Sequence, residues 1–378
     1  MRVVISAGGT GGHIYPALSI IDKIKKEDKN SEFLYIGTTN RMEKDLIPKR
    51  NIPYVGIEVY GIKRSLSPSN IKSVYKFLVA IRKCKKELKK FKPDIVIGAG
   101  GYVTAPVIIA AKKLGIKTLI HEQNSVLGLA NKMVLNYTDT LCTSFENVKP
   151  DNVNYVFTGN PVLQNALDAK TINKKEYGLS DKKKTVLIVM GSLGSKSVNE
   201  IILDSIDDLS KKDYEVLIVT GNNYYDDFKS IKKDNIIIKP YIDNLVNVIK
   251  SVDIVVTRAG ASTLTEIIGT LTPAILIPSP YVTENHQYKN ALSLTKKNSA
   301  ILIKEEDLDK DMLIKQIDYL ISDKNKVKEI KNNLSKLQIK DSSDRIYKEI
   351  VKLVNRKWWN WKEKKENLKR KEYFYYSF

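Results

Sequence analysis

The first glycine-rich segment of the chain, Gly8-Gly9-Thr10-Gly11-Gly12-His13, directly follows Val3-Val4-Ile5, which predicts a strand. Four glycines permit a tight turn, and the N-terminus of the next helix offers free N–H groups that suit a diphosphate. A neutral imidazole beside such a loop is suited to general-base catalysis near pH 7, so His13 is the candidate base. Dinucleotide-binding turns and ligand-free turns share this composition, so the spacing alone leaves the ligand open.

Two further segments follow predicted strands in the first half of the chain. Gly98-Ala99-Gly100-Gly101-Tyr102 comes after Ile95–Ile97, and His121-Glu122-Gln123-Asn124 comes after Lys117–Ile120. We expect both to be loops at the carboxyl ends of parallel strands, where α/β sheets bind ligands. The amide of Asn124 can donate and accept, which suits a sugar hydroxyl, whereas ordinary packing explains Tyr102 equally well.

The second half of the chain repeats this arrangement. Met190–Ser195 and Arg258–Glu266 each follow a predicted strand. Ser192 and the N–H groups of its loop could hold a phosphate, and Glu266 could accept hydrogen bonds from a ribose diol, although an ordinary glutamate of a helix N-terminus has the same pattern. The polar run Glu284-Asn285-His286-Gln287 suits sugar hydroxyls.

Short β-branched strands alternate with helical periodicity between these segments, which is typical of parallel sheets. The alternation breaks at Gly159-Asn160-Pro161 and resumes at Thr185, so we predict an α/β protein with two doubly wound domains and a cleft between them. The predicted strands are Arg2–Ser6, Phe33–Ile36, Ile95–Ile97, Lys117–Ile120, Thr140–Thr143, Thr185–Val189, Glu215–Val219, Ile236–Lys239, Ile254–Val256 and Ala274–Ile277, and the clearest helices are Pro16–Lys26, Ile71–Phe91 and Asn199–Leu209.

Composition restricts the classes of function. The 378 residues carry a formal charge of +20, with nine Lys or Arg against one Glu in residues 72–92 and eight against three in residues 356–378. The expected partner is anionic, and charge alone leaves a membrane, a nucleic acid and an acidic ligand open. The N-terminus predicts a strand rather than a signal peptide, and we expect a cytoplasmic protein without a spanning helix. The spacing of Cys84 and Cys142 disfavours disulfides and zinc.

Seven segments, taken together and in order, resemble the MurG family of N-acetylglucosaminyltransferases, over about residues 1–355. They are GGTGGH at 8–13 with Pro16, GAGGY at 98–102, HEQN at 121–124, GNP at 159–161, GSLGS at 191–195, RAGASTLTE at 258–266 and NHQ at 285–287.

The resemblance implies a GT-B fold and an inverting transfer of N-acetylglucosamine from UDP-N-acetylglucosamine to the 4-hydroxyl of lipid I, giving lipid II. It implies that His13 is the base and that the helix N-terminus at Ala261 neutralises the leaving diphosphate, with no metal or other cofactor. The implied donor contacts are Thr10, Gly11, Gly12, Asn124, Ser192, the backbone at Ile242, Ala261, Ser262, Thr263, Leu264, Thr265, Glu266 and either His286 or Gln287. The implied acceptor-side residues are Gly100, Gly101, Tyr102, His121 and Glu122.

The chain departs from the family pattern in three places. Many members carry Arg where this chain has Leu163, some carry Gln where it has His286, and the aromatic and basic extension 357–378 lies beyond the resemblance. We expect residues 1–162, with a helix at about 342–356 packing back on them, to form the acceptor-binding, membrane-facing domain. Residues 163–341 are then expected to form the UDP-N-acetylglucosamine-binding domain.

The expected location is the cytoplasmic face of the bacterial cell membrane, with peripheral attachment and no nucleic-acid partner. In the predicted helix 71–91, part of an apolar stripe is expected to pack on the sheet, while the apolar residues off the stripe could enter a bilayer interface. The stripe comprises Ile71, Val74, Leu78, Ile81 and Leu88, and the residues off it are Tyr75, Phe77 and Val79.

Three other functions share part of this sequence pattern. Another GT-B enzyme, such as a diacylglycerol glycosyltransferase, shares the donor half, but the HEQN and GAGGY segments disfavour it. A dinucleotide-dependent oxidoreductase is disfavoured because the first strand lacks GxGxxG with an acidic residue about 20 positions on. A binding module without activity would not need seven such segments.

Overall fold

The structure is a computed structural model that describes residues 1–59, 69–191 and 194–355. Ser192 and the extension 357–378 lie outside the described residues. The chain forms two compact units. The first comprises Met1–Gln123, Leu127–Pro161 and the chain from Asp341 onward, and the second comprises Asn124–Val126 and Val162–Lys340.

The first unit contains a seven-stranded sheet. Its strands are β1 (Arg2–Ser6), β2 (Glu32–Thr38), β3 (Tyr54–Ile57), β4 (Ile95–Gly98), β5 (Lys117–Glu122), β6 (Thr140–Thr143) and β7 (Tyr155–Phe157). They pair in parallel in the order β3-β2-β1-β4-β5-β6-β7. The order of strands reverses direction between β1 and β4, and ligands of doubly wound sheets bind at such a switch point.

Helices cover both faces of this sheet, because strands of a parallel sheet carry apolar side chains on both sides. Val3 and Ile5 lie in one apolar layer and Val4 lies in the other. The helices are α1 (Gly11–Glu27), α2 (Glu43–Leu46), α3 (Ser69–Phe91), α4 (Thr104–Lys113) and α5 (Leu129–Val134), with 3₁₀ turns at Pro48–Arg50 and Leu135–Tyr137.

The C-terminal helix, residues 342–355, packs on the first unit beside α1. Ile346 and Ile350 are buried in the same apolar layer as the inner face of α1. Lys23 forms an ion pair of 2.5 Å with Asp344. The last described helix therefore completes one face of the first sheet.

The second unit contains a six-stranded parallel sheet in the order β10-β9-β8-β11-β12-β13, with its switch point between β8 and β11. Its strands are β8 (Thr185–Val189), β9 (Glu215–Val219), β10 (Ile236–Lys239), β11 (Ile254–Thr257), β12 (Ala274–Leu276) and β13 (Ile301–Leu302). Its helices are α6 (Leu163–Leu167), α7 (Lys196–Leu209), α8 (Tyr225–Phe228), α9 (Leu245–Ser251), α10 (Ala261–Thr270), α11 (His286–Thr295), α12 (Lys310–Ser322) and α13 (Lys324–Lys336), with 3₁₀ turns at Lys174–Tyr177, Asn222–Tyr224, Thr283–Asn285 and Glu305–Asp307.

The structure confirms the predicted α/β class with two doubly wound sheets. All ten predicted strands are present. The three strands that the sequence did not predict, β3, β7 and β13, are two to four residues long and all three lie at sheet edges. Such short segments carry too little pattern to be recognised.

Only part of the predicted stripe of α3 is buried, and Val74 and Leu78 are exposed. The prediction for Phe77 was wrong, because this side chain packs on the core. Ile81 and Leu88 are buried as predicted, and the side chain of Ile71 lies outside the described residues. Periodicity identifies apolar positions along a helix but not which of them a neighbouring element covers. In the described part of the chain, no helix has the length and apolarity to cross a bilayer.

Candidate functional site

The loops that follow β1 and β4 touch each other at the switch point of the first sheet. The N–H of Gly8 donates to the carbonyl oxygen of Gly100 at 3.2 Å. A Cβ at Gly101 would collide with the carbonyl oxygen of Gly8, and Gly101 has a φ of +87°, which L side chains rarely adopt. The close contact of the two backbones therefore requires glycine at this position.

His13 lies in the first turn of α1, not in the loop that the sequence suggested. Its Nδ1 is 3.1 Å from the carbonyl oxygen of Gly8 and 3.4 Å from Oγ1 of Thr10. A carbonyl oxygen can only accept, so Nδ1 must carry the proton in this contact. The lone pair of the neutral ring is then on Nε2, which is the atom that can accept a proton.

Gln123 connects these loops to the end of β5. Its side chain is buried, and its Nε2 donates to the carbonyl oxygens of Ala99 at 2.7 Å and Gly12 at 3.1 Å. Sequence reasoning placed Gln123 in a polar segment but assigned it no role. In the sequence, only its position between the candidate residues Glu122 and Asn124 indicated that Gln123 could belong to the site.

His121 and Glu122 are the last residues of β5 and are buried, so the prediction that they lie in a loop was wrong. His121 donates from Nε2 to the carbonyl oxygen of Gly159 at 3.1 Å, and burial lowers its pKa to about 4. Glu122 accepts from the N–H of Gly128 and from Asn131, both at 2.8 Å. Both side chains therefore brace the loops around β5. Tyr102, by contrast, is 44% exposed.

The second unit has a cavity of about 620 Å³ at the carboxyl ends of β8 and β11. Arg258 follows β11, and its guanidinium pairs with Glu305 at 2.5 Å and donates to Oγ of Ser195 at 2.6 Å. Both members of this ion pair are about nine-tenths buried. The pair holds Arg258 in the cavity wall, and the other lining residues include Gly194, Lys196, Ser279 and Gln287.

Helix α10 begins immediately after β11, and its first turn, Ala261 to Leu264, carries no charged side chain. The first-turn N–H groups and the dipole of such a helix favour an anion. The buried hydroxyl of Ser262 has no hydrogen-bond partner among the described residues, whereas that of Thr265 donates to the Ala261 carbonyl oxygen at 2.8 Å. Glu266 lies one turn further on, and burial raises its pKa to about 7.

Asn290 organises the side of α11 that faces the segment Asn124–Val126. Its amide is fully buried and accepts from the N–H of Ser125 at 2.8 Å. It donates to Oδ1 of Asn124 at 3.1 Å and to the carbonyl oxygen of Ala259 at 3.2 Å. Asn290 escaped sequence reasoning because a buried asparagine inside a helix has no local signature.

The side chains of His286 and Gln287 have different surroundings. The side chain of Gln287 lines the cavity, and its Oε1 accepts from the N–H of Ser279 at 2.9 Å. His286 directs Nδ1 to the carbonyl oxygen of Thr283 at 2.8 Å. The two residues before His286 have positive φ angles, 59° at Glu284 and 50° at Asn285. This turn therefore sets the direction in which α11 begins.

Three further residues from the sequence analysis, Leu163, Ile242 and Ser192, do not line this cavity among the described residues. Leu163 is buried in α6 against Gly269, so its side chain contributes to the core of the second unit. The side chain of Ile242 is also buried, in the segment between β10 and α9, which leaves its backbone as the predicted contact. Ser192 lies outside the described residues.

Comparison with known proteins agrees with this geometry. The glycosyltransferase family 28 N-terminal domain matches residues 3–143, and the glycosyltransferase family 28 C-terminal domain matches residues 185–346. A UDP-N-acetylglucosamine–N-acetylmuramyl-(pentapeptide) pyrophosphoryl-undecaprenol N-acetylglucosamine transferase from Bacillus licheniformis is 44% identical over 93% of this chain and 99% of its own length. The protein of that name from Bacillus subtilis is 43% identical over the same shares.

Solved structures show the same architecture. The structure of Acinetobacter baumannii MurG has a TM-score of 0.73 and 26% identity, over 93% of this chain and 99% of that one. The calicheamicin glycosyltransferase CalG4 shares the fold at 11% identity, with a TM-score of 0.69. These likenesses confirm the predicted GT-B fold. The chain therefore belongs to the MurG family of glycosyltransferases, as its seven segments predicted.

Proposed function

We propose that this protein transfers N-acetylglucosamine from UDP-N-acetylglucosamine to the 4-hydroxyl of the N-acetylmuramyl sugar of lipid I. The product is lipid II, the lipid-linked disaccharide of peptidoglycan synthesis. The observation that supports the chemistry most directly is the contact between His13 and the Gly8 carbonyl oxygen, because it leaves Nε2 as a base beside the candidate acceptor residues.

The reaction is a single displacement at C1 of the donor sugar. The acceptor oxygen forms a bond to C1 while the bond from C1 to the diphosphate oxygen breaks, and UDP leaves with the electron pair. Nε2 of His13 takes the proton of the acceptor hydroxyl. Tyr102, partly exposed after β4, is the proposed acceptor contact, with Gly100 and Gly101 shaping the surface around His13.

The second unit is the proposed donor-binding unit. The N-terminus of α10 binds the diphosphate, with the unpartnered hydroxyl of Ser262 as a donor to a phosphate oxygen. The carboxylate of Glu266 accepts from the ribose diol. Gln287 is the proposed sugar contact rather than His286, because its side chain lines the cavity and its Oε1 is held by the N–H of Ser279.

We further propose that α3 brings the first unit to an anionic membrane surface at the cytoplasmic face. Its N-terminal half exposes Val74, Tyr75, Leu78 and Val79, with Tyr75 66% and Leu78 52% exposed. Arg82, Lys86 and Lys89 are exposed at the following positions of the same face. An apolar patch followed by basic residues suits the interface of an anionic leaflet. A lipid-linked acceptor would be reached from there.

The substrate assignment is tested with purified protein, a lipid I analogue and a panel of donors. We expect transfer from UDP-N-acetylglucosamine and at most slow transfer from UDP-glucose, with product identified by mass spectrometry. Diacylglycerol serves as the competing acceptor. Efficient transfer of glucose to diacylglycerol would instead support a different GT-B glycolipid enzyme.

Replacement of His13 by Ala tests its role as base. We expect turnover to fall by roughly 10²–10⁴-fold, because proton transfer in the transition state is lost. The Kd for UDP, measured by calorimetry, should stay unchanged, because no part of the uridine diphosphate depends on the imidazole. Turnover close to wild type would show that His13 only supports its loop.

Replacement of Glu266 by Gln tests its raised pKa. Between pH 4.5 and 7 the unfolded chain ionises this carboxyl while the folded chain keeps it neutral, so its contribution to stability is lost as pH rises through 7. Relative to Glu266→Gln, wild type should lose on the order of 2–3 kcal/mol of unfolding free energy from pH 4.5 to 8. UDP binding to wild type should tighten over the same range, because the carboxylate is the form that accepts from the ribose.

The matched control is Glu306→Gln, which makes the same charge change at an exposed position of the same unit. Its unfolding free energy should follow that of wild type across the pH range. If Glu266→Gln does so as well, and UDP binding to wild type shows no pH dependence near 7, the ribose contact is refuted.

Replacement of Tyr75 and Leu78 together by Ser tests membrane attachment. Co-sedimentation with vesicles containing anionic phosphatidylglycerol should weaken several-fold and should weaken further with salt, because both apolar insertion and charge contribute. Transfer to a soluble acceptor analogue should be unaffected. Tyr319→Ser, at an exposed position of the second unit, is the control. Deletion of 357–378 is expected to weaken binding too, whereas binding insensitive to salt, to the double replacement and to the deletion would contradict attachment.

A further inference from the structure

Glu43 is a buried carboxylate beneath the glycine-rich loop of the first unit. It lies in α2, its side chain is fully buried, and its Oε1 accepts from the N–H of Thr38 at 3.0 Å and from Oγ1 of Thr38 at 2.6 Å. Its Oε2 accepts from the N–H of Gly9 at 3.2 Å. Burial of a carboxylate is costly unless hydrogen bonds replace water, and here they do.

Neighbouring residues leave space for this carboxylate. A Cβ at Gly8 would collide with Oε1 of Glu43, and a Cβ at Gly37 would collide with its Cγ. Burial and, second to it, the charge of Glu43 raise the pKa of the Tyr54 hydroxyl well above its usual value. Two glycines and a tyrosine from three different segments thus accommodate one acidic side chain.

The contacts of Glu43 and His13 fall on the same peptide group. In the peptide between Gly8 and Gly9, the N–H donates to Oε2 of Glu43. The carbonyl oxygen of the same peptide accepts from Nδ1 of His13 at 3.1 Å. In a trans peptide these two groups point in opposite directions, so a partner on one side fixes the direction of the other. A carboxylate on the N–H also polarises the peptide, which strengthens its carbonyl oxygen as an acceptor.

We propose that Glu43 is a positioning residue for the general base and acts on His13 through the Gly8–Gly9 peptide. It holds the peptide so that its carbonyl oxygen keeps the proton on Nδ1 and leaves Nε2 to take the proton of the acceptor hydroxyl. It also stabilises the imidazolium that forms, because the polarised carbonyl faces the charged ring. Glu43 itself exchanges no proton. The inference rests on the proposed role of His13.

Glu43→Gln tests this arrangement, because it keeps the size of the side chain but replaces one acceptor oxygen with a donor. Asp45→Asn is the matched control, since Asp45 is exposed on the same helix and loses the same charge. We expect Glu43→Gln to lower kcat roughly ten- to a hundredfold, within the range for impaired proton transfer. The KM for UDP-N-acetylglucosamine and the Kd for UDP should not change, and Asp45→Asn should behave as wild type.

A double-mutant cycle separates positioning from general damage. In a His13→Ala background, Glu43→Gln should cause no further loss of kcat, because it acts only through the imidazole. Losses that multiply would show an independent role and overturn the inference. Wild-type kcat in Glu43→Gln, with His13→Ala impaired, would overturn it while leaving the proposed function intact.

A second variant covers the case in which Glu43→Gln folds poorly. Glu43→Asp retains the charge on a shorter side chain and should recover part of kcat. Thr38→Val removes the hydroxyl donor but leaves the carboxylate on Gly9, so kcat should stay close to wild type. A loss in Thr38→Val as large as in Glu43→Gln would assign the effect to packing and overturn the inference.

Discussion

The close approach of the loops after β1 and β4 is the constraint on which the catalytic side of the first unit depends. With Gly101 against the carbonyl oxygen of Gly8, the chain enters α1 with His13 in its first turn. That carbonyl oxygen then sets the tautomer of the imidazole, and Gln123 holds the neighbouring loops from β5. A side chain larger than hydrogen at Gly101 would displace the atom that orients the base.

The second unit uses the same topology for a different chemical task. At its switch point no histidine follows the first strand. Instead, the buried ion pair of Arg258 with Glu305 and the uncapped start of α10 create a wall suited to an anion. Further along α10, burial raises the pKa of the Glu266 carboxyl. In the proposed mechanism, one topology thus supplies a base in one unit and an anion site in the other.

The sequence was sufficient for the features that repeat or follow local rules. Strands such as β8 and β9 were predicted to the residue because β-branched runs end at glycine or polar residues. The glycine-rich turns that follow β1 and β11 were recognisable in the same way, because each comes directly after such a strand. Residues whose role depends on distant partners were not predictable in this way. Glu43 and Asn290 act through backbone atoms far away in sequence, and an acidic or amide side chain does not reveal that it is buried.

His121 and Glu122 show a different error. Their polar character suggested a loop, but both lie in β5 and find hydrogen-bond partners inside the first unit, at Gly159 and at Gly128 with Asn131. Likewise, spacing alone did not show which part of the α3 stripe is buried, and the structure leaves Val74 and Leu78 exposed. In both cases, burial of the side chain depends on which neighbouring element covers it, and that is a property of the tertiary fold.

Transfer in one displacement, with His13 as the proposed base, inverts the configuration at C1 of the donor sugar. The anomeric configuration of the product tests this mechanism most directly, because UDP-N-acetylglucosamine carries its sugar in the α configuration. Nuclear magnetic resonance of the disaccharide formed from a lipid I analogue should show a β linkage to the 4-hydroxyl. An α-linked product would require two displacements or a front-side mechanism and would contradict transfer in one displacement.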